Sequence, residues 1–222
     1  MPTGYWARRR QIELGPGDGT RLLSIPDKAK GLIVFACAGA GGSRHRVTIR
    51  TAATLHSRRF ATLLCDPRSN EGGRTKAVDV ELPDCRIAEA VKWARANGAT
   101  RALPVGLFGE GDGAAATLVA AANLPDSISA IVVRGDRPDL AGSALGHVFA
   151  PTLLIASASD HSALKHNQDA NQRLTCVKQL EIIPAALAGH DALHAANNAA
   201  GHWFDLYLLP RAAVQASAAG RR

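Results

Sequence analysis

Short runs that are apolar at nearly every position, not at alternate ones, constrain this chain more than any other feature. They are Leu32-Ile33-Val34-Phe35-Ala36-Cys37, Phe60-Ala61-Thr62-Leu63-Leu64-Cys65, Leu103-Pro104-Val105-Gly106-Leu107-Phe108, Ser129-Ala130-Ile131-Val132-Val133-Arg134 and Thr152-Leu153-Leu154-Ile155-Ala156. A strand with one wet face alternates apolar and polar residues. A strand without alternation must be covered on both faces, as in a parallel sheet between two helix layers. Helical segments separate these runs: 47–57, a stretch capped by Asp84 and ending near Ala96 before Asn97-Gly98, 114–122 and 165–174. A last strand over 179–183 is followed by a closing helix over 195–209, with Trp203, Phe204 and Leu206-Tyr207-Leu208 on its apolar face. At the front, 10–14 and 21–25 flank Gly15-Pro16-Gly17-Asp18-Gly19 as an antiparallel hairpin. The expected fold class is α/β, a mostly parallel doubly wound sheet with helices on both faces and an N-terminal antiparallel hairpin.

A length of 222 residues with 46% apolar content is enough for one sizeable core, so a single domain over 1–211 and a flexible tail over 212–222 are expected. No apolar run approaches the roughly 20 residues a membrane span needs. The basic start, Arg8-Arg9-Arg10, has no apolar segment behind it to make a secretory signal. No membrane partner and a cytoplasmic location are therefore expected. The cysteines, Cys37, Cys65, Cys85 and Cys176, are widely spaced and form no CxxC pair, which points to free thiols and not to zinc or a disulfide framework. The net charge of +7 is scattered over Arg8–Arg10, Arg44–Arg50, Arg58-Arg59 and Arg221-Arg222, and aromatics are only 5% of the chain. That pattern is a solvated basic surface and not a nucleic-acid interface. No cofactor and no metal are expected; His45, His56, His147, His161, His166, His194 and His202 show no i, i+4 or HExxH spacing.

The densest chemical signal is Gly109-Glu110-Gly111-Asp112-Gly113. It joins a strand to the Ala-rich helix of 114–122 through small residues spaced as G-x-Nu-x-G, the nucleophile elbow of α/β-hydrolases. The central residue of such an elbow is ordinarily Ser, Cys or Asp. Here it is Gly111, which has nothing to attack with.

The chain resembles a small α/β-hydrolase of the dienelactone-hydrolase-like family from about Arg21 to Leu209. The stretches that carry the likeness are Leu32-Ile33-Val34-Phe35-Ala36 before a Gly-rich loop with Ser43-Arg44-His45, the elbow Gly106-Leu107-Phe108-Gly109, Arg134-Gly135-Asp136-Arg137-Pro138-Asp139-Leu140-Ala141-Gly142, and Ala150-Pro151-Thr152-Leu153-Leu154-Ile155. The resemblance implies a triad in chain order nucleophile, acid, histidine. The acid is then Asp160, after the strand holding Leu153-Leu154-Ile155. The histidine is His190, in a loop Ala188-Gly189-His190-Asp191 after the last strand. A carboxylate there would fix the imidazole tautomer and stabilise its cation.

Gly111 interrupts that assignment, and three readings follow. In the favoured one the chain has lost covalent catalysis and serves as a non-catalytic, small-ligand-binding homologue. Asp112 and Glu110 place negative charge where an oxyanion would develop, and Cys37-Ala38 replaces the His-Gly common in the other half of the oxyanion hole. In the second, Asp160 and His190 act as a general-base pair on a small ester, lactone or carbonyl compound. In the third, Gly109-x-Gly111-x-x-Ala114 is a dinucleotide fingerprint, with Asp136 as a ribose-binding acid. Acidic side chains inside a pyrophosphate loop oppose that last reading. A metal on Glu110, Asp112, Asp160 and His190 has no spacing signature.

Overall fold

The computed structural model describes residues 9–12, 21–37, 43–65, 81–111 and 113–208, with the side chains of 9–12, 21, 37, 43–45, 65 and 81–86 left undescribed. The elements in chain order are β1 (Arg9–Ile12), β2 (Arg21–Ser24), β3 (Gly31–Cys37), α1 (Ser43–Ser57), β4 (Phe60–Cys65), α2 (Glu81–Ala96), β5 (Val105–Glu110), α3 (Gly113–Asn123), β6 (Ala130–Arg134), a 3-10 segment (Pro138–His147), β7 (Thr152–Ser157), α4 (His161–Arg173), β8 (Lys178–Ile183) and α5 (Gly189–Tyr207). Among the described residues eight strands form one sheet in the order β1-β2-β4-β3-β5-β6-β7-β8. The six from β4 to β8 in that order are parallel, while β1 and β2 pair antiparallel with each other and β2 with β4. The parallel sheet is the one the apolar runs predict, and the antiparallel β1/β2 pair fits the strands expected at the front; the segment joining them lies outside the described residues.

Burial on both faces explains the missing alternation. Leu32, Val34, Leu107, Ile131, Val133 and Leu154 face one apolar layer, with Ile87 and Val91 of α2, Leu118 of α3 and Ala170 of α4. Ile33, Phe35, Phe108, Val132, Leu153 and Ile155 face the other, with Leu55 of α1 and Trp203 and Phe204 of α5. Within the second layer Phe35 and Phe108 stack at 4.9 Å between centroids. Adjacent residues of one strand thus feed opposite cores.

Four helix starts differ from expectation by more than one residue. α1 begins at Ser43, four residues before the expected start. α2 begins at Glu81, so Asp84 lies inside it and is not its cap; Pro83 at its third position falls in the first turn, where no N–H is needed. α4 begins at His161, capped by Asp160. α5 begins at Gly189, six residues before the expected start, after an N-cap, Ala188, that offers no side-chain hydrogen bond. The 3-10 segment was not foreseen; Gly142 at φ 59° breaks it in the middle, and no helical period survives such a break. The tail expected over 212–222 lies outside the described residues.

Candidate functional site

The crossing of the chain over its own sheet determines where a site can form. From β3 the chain goes through α1 to β4 on one side, then through α2 to β5 on the other. The carboxyl ends of β3 and β5 therefore diverge into opposite connections, and such a switch point opens the crevice where α/β sheets take ligands. Cys37 and Glu110, the last residues of β3 and β5, are register partners at this point. Gly111 follows immediately, at a turn into α3, with φ 57°. Its N–H donates to the Arg134 carbonyl at 3.1 Å and its own carbonyl accepts from Ala114 N–H at 3.1 Å. A residue with a Cβ resists that backbone region, and glycine meets it without strain. At Gly113 the constraint is space, since a Cβ there would collide with the carbonyl oxygen of Ala36 on β3. Small residues at this turn let α3 start directly against the sheet. Of the other residues expected here, Ala38 and Asp112 lie outside the described residues, as does the side chain of Cys37.

Glu110 is described, and it corrects one expectation. It does not add a bare negative charge beside the turn. Alternation along β5 turns its side chain to the α1/α5 layer, where Arg134, its register partner on β6, donates to it at 2.7 Å. Both side chains are largely shielded, at 14% and 16% exposure. Thr48 of α1 donates to the second carboxylate oxygen at 2.8 Å. Arg134 also donates to Asn197 Oδ1 of α5 and to Thr51 Oγ of α1, each at 3.0 Å, and its guanidinium lies 5.5 Å from the Phe108 ring centre. Thr51 is 2.9 Å from Asn197 Oδ1. The charge on Glu110 is thus neutralised inside a network that ties two strands to two helices, and no sequence signal marked Arg134, Thr51 or Asn197 as its partners.

Asp160 and His190 follow the carboxyl ends of β7 and β8, which are neighbours in the sheet, so both stand at the same sheet edge as Gly111. Each has its own local partner. The Asp160 carboxylate accepts from the Ala163 N–H at 2.9 Å, the bond of a helix N-cap. His190 is in the first turn of α5 and not in a loop, with 78% of its side chain exposed; Nδ1 lies 3.6 Å from the Asp191 carboxylate. Among the described residues no hydrogen bond or ion pair joins Asp160 to His190. His194, one turn further along α5, stacks beside His190. This i, i+4 pair exists only because His190 is helical, whereas the sequence predicts a loop there.

Between these points, the segment after β6 is tied down by α4: Asn167 donates to the Gly135 carbonyl at 2.9 Å, and His166 Nδ1 lies 3.1 Å from the Asp136 carbonyl. Arg137 chelates Asp139 through Nε at 3.0 Å and Nη2 at 2.9 Å. That hydrogen-bonded guanidinium holds the Asp139 carboxyl below its usual value, against the opposing effect of burial. Away from this edge, Leu22, Ile49, Ala52, His56 and Leu64 help line a cavity of about 60 Å³ under α1, far below the roughly 300 Å³ at which small-molecule pockets begin. No helix among the described residues is long and apolar enough to cross a membrane.

No protein-family model matches the chain. A crystal structure of dienelactone hydrolase from Anabaena variabilis is 36% identical and superposes with a TM-score of 0.84, over 92% of this chain and 100% of that one. Carboxyl esterase 2 of the fungus Tuber melanosporum, 14% identical, superposes with a TM-score of 0.71 over 93% of this chain and 89% of that one, a likeness of fold alone. Proteins of two Mycobacterium tuberculosis strains, CDC 1551 and H37Rv, each bear the name "Putative phosphoribosyl transferase" and are 42% identical over 179 residues, 79% of this chain. The chain spans only 40% of the length of those curated relatives.

Proposed function

This chain belongs to the dienelactone hydrolase family of α/β-hydrolases, and from that premise we propose that it has given up covalent hydrolysis and uses the switch-point crevice to bind a small ligand. The observation that carries the reading is Gly111 itself: the turn between β5 and α3 keeps the left-handed backbone of a nucleophile elbow, at φ 57°, around a residue with no side chain. An acyl-transfer route through a serine needs an oxygen at that point. The local partners of Asp160 and His190 agree with the loss, since a carboxylate engaged as a helix cap does not orient an imidazole that faces solvent. Phosphoribosyl transfer, named for relatives more than twice as long as the shared stretch, is not proposed for this chain, and neither is dinucleotide binding through Gly109-x-Gly111-x-x-Ala114.

The test pairs a panel of ester, lactone and thioester substrates with labelling by a serine-directed fluorophosphonate. Neither turnover nor label is expected. Labelling would overturn the reading outright. Turnover without labelling, abolished in His190→Ala and Asp160→Ala, would favour a general-base hydrolase acting through the two groups that share the β7/β8 edge.

A further inference from the structure

The exposed start of α5 carries two imidazoles that the fold does not employ. His190 and His194 lie one turn apart, their ring centres 6.3 Å apart and their planes inclined by 15°. Positions i and i+4 share one side of a helix, with Cβ atoms about 5–6 Å apart. The Asp191 carboxylate lies 3.6 Å from Nδ1 of His190. That is too long for a hydrogen bond, but it places a carboxylate beside the ring, the kind of neighbour that orients metal-bound histidine. On the far side of His194, the Asn198 amide nitrogen lies 3.2 Å from Nδ1 and 3.4 Å from Nε2, so this ring too has a polar neighbour to turn against.

We propose that His190 and His194 form a two-imidazole chelate for a late first-row divalent cation, with Cu²⁺ held more tightly than Ni²⁺ or Zn²⁺. Metal–imidazole bonds of about 2.0–2.1 Å place one ion between two rings at this spacing once the exposed side chains rotate open from their stacked positions. Neutral imidazole nitrogen suits Cu, Ni and Zn, whereas Mg²⁺ and Ca²⁺ demand oxygen; among the divalent ions of this series Cu²⁺ stands highest. Among the described residues no group of three or more His, Cys, Asp or Glu is gathered for a metal. The remaining coordination positions therefore go to water, and the ion is exchangeable and not structural. The inference does not rest on the ligand-binding reading above, because it concerns side chains on the outer face of α5 and is read by metal affinity alone.

The experiment is calorimetric titration of the metal-free full chain with Cu²⁺, Ni²⁺, Zn²⁺ and Mg²⁺ chlorides. His190→Ala and His194→Ala are each expected to weaken Cu²⁺ binding at least tenfold, and the double variant little further, since a chelate is lost with either arm. His202→Ala, two turns beyond His194, is expected to leave it unchanged. Electron paramagnetic resonance of the Cu²⁺-loaded wild type is expected to show two imidazole nitrogens, a readout that needs no variant to fold. Single variants that keep wild-type affinity, equal loss in His202→Ala, Mg²⁺ binding as tight as Cu²⁺, or a spectrum with fewer than two imidazoles would each overturn the site.

Discussion

Two stretches of the same sheet edge treat polar groups in opposite ways. At the ends of β5 and β6, Glu110 and Arg134 are shielded, paired and joined to Thr48, Thr51 and Asn197. At the ends of β7 and β8, Asp160 and His190 are exposed; Asp160 accepts from Ala163 three residues on, and His190 stands beside the carboxylate of its neighbour Asp191. A shielded charge pair confers little net stability over an apolar pair of the same shape, but it makes the loss of either partner costly. The first region is therefore a lock that sets how α1 and α5 sit on the sheet. The second is exposed and free to change partners.

The largest effect is expected from breaking the lock. Arg134→Met leaves the Glu110 carboxylate without its cation, and urea unfolding should show a loss of about 3–5 kcal/mol. The double replacement Glu110→Met with Arg134→Met should recover most of it, because the orphaned charge is then gone. A single-variant cost near the roughly 0–1 kcal/mol of an exposed ion pair would break the comparison, placing this cluster with the solvent-screened pairs. Glu110→Ala cannot serve as a neutral way to clear charge from the Gly111 turn, since it orphans Arg134 in the same way.

Next in size is Gly111→Ser. A side chain at φ 57° should cost about 1–3 kcal/mol in unfolding free energy. Hydrolysis of p-nitrophenyl acetate should stay near that of wild type, because the new hydroxyl meets no histidine already paired with its acid. Turnover well above wild type would mean that Asp160 and His190 swing together once a nucleophile is present. The contrast between a locked and an unassembled region would then describe only the resting state.

Asp160 separates two roles that sequence alone could not. As a helix cap it should tolerate Asp160→Asn almost fully, while Asp160→Ala should cost about 1 kcal/mol, since Asn and Asp cap equally well. A catalytic acid would make the opposite demand, failing with Asn because the amide cannot stabilise an imidazolium. Thermal midpoints for the two variants decide the structural role. An Asn variant as unstable as the Ala variant would show that the charge at the start of α4 matters more than the hydrogen bond.

What could be read from the sequence followed from local pattern. The run Phe60–Cys65 is a strand at its expected limits because every residue in it is apolar or buried against apolar neighbours. The turn at Gly111 was legible because the glycine spacing lies between an apolar run and an Ala-rich run, the context of a strand-to-helix turn. What could not be read depended on register and on helix starts. Glu110 and Arg134 are 24 positions apart and meet only because β5 and β6 pair in parallel at that offset. The start of α5 carries no capping side chain, so nothing in Ala188-Gly189-His190 announced a helix, and the His190–His194 spacing passed unnoticed. At Asp160 one residue type serves both a helix cap and a catalytic acid, and the sequence does not distinguish the two.

The smallest effect concerns Asp139, which stands between the two regions in character: chelated by Arg137, yet by a partner close to solvent, with 47% of its side chain exposed. Its carboxyl is held below the usual value, chiefly by the hydrogen-bonded guanidinium. A carboxyl lowered in the folded state contributes stability that is fully present above its unfolded value of about 4, and that is lost as pH falls through the lower folded value. Asp139→Asn should therefore lower the urea midpoint slightly at pH 7, by less than any change above. The gap between variant and wild type should narrow from about pH 4 downward, as the unfolded carboxyl takes up its proton and then the folded one does. A gap that stayed constant from pH 7 to pH 3 would mean that the Arg137 contact acts through geometry and not charge. A gap as large as that of Arg134→Met would move Asp139 into the locked class, and exposure would no longer separate the two kinds of ion pair at this edge.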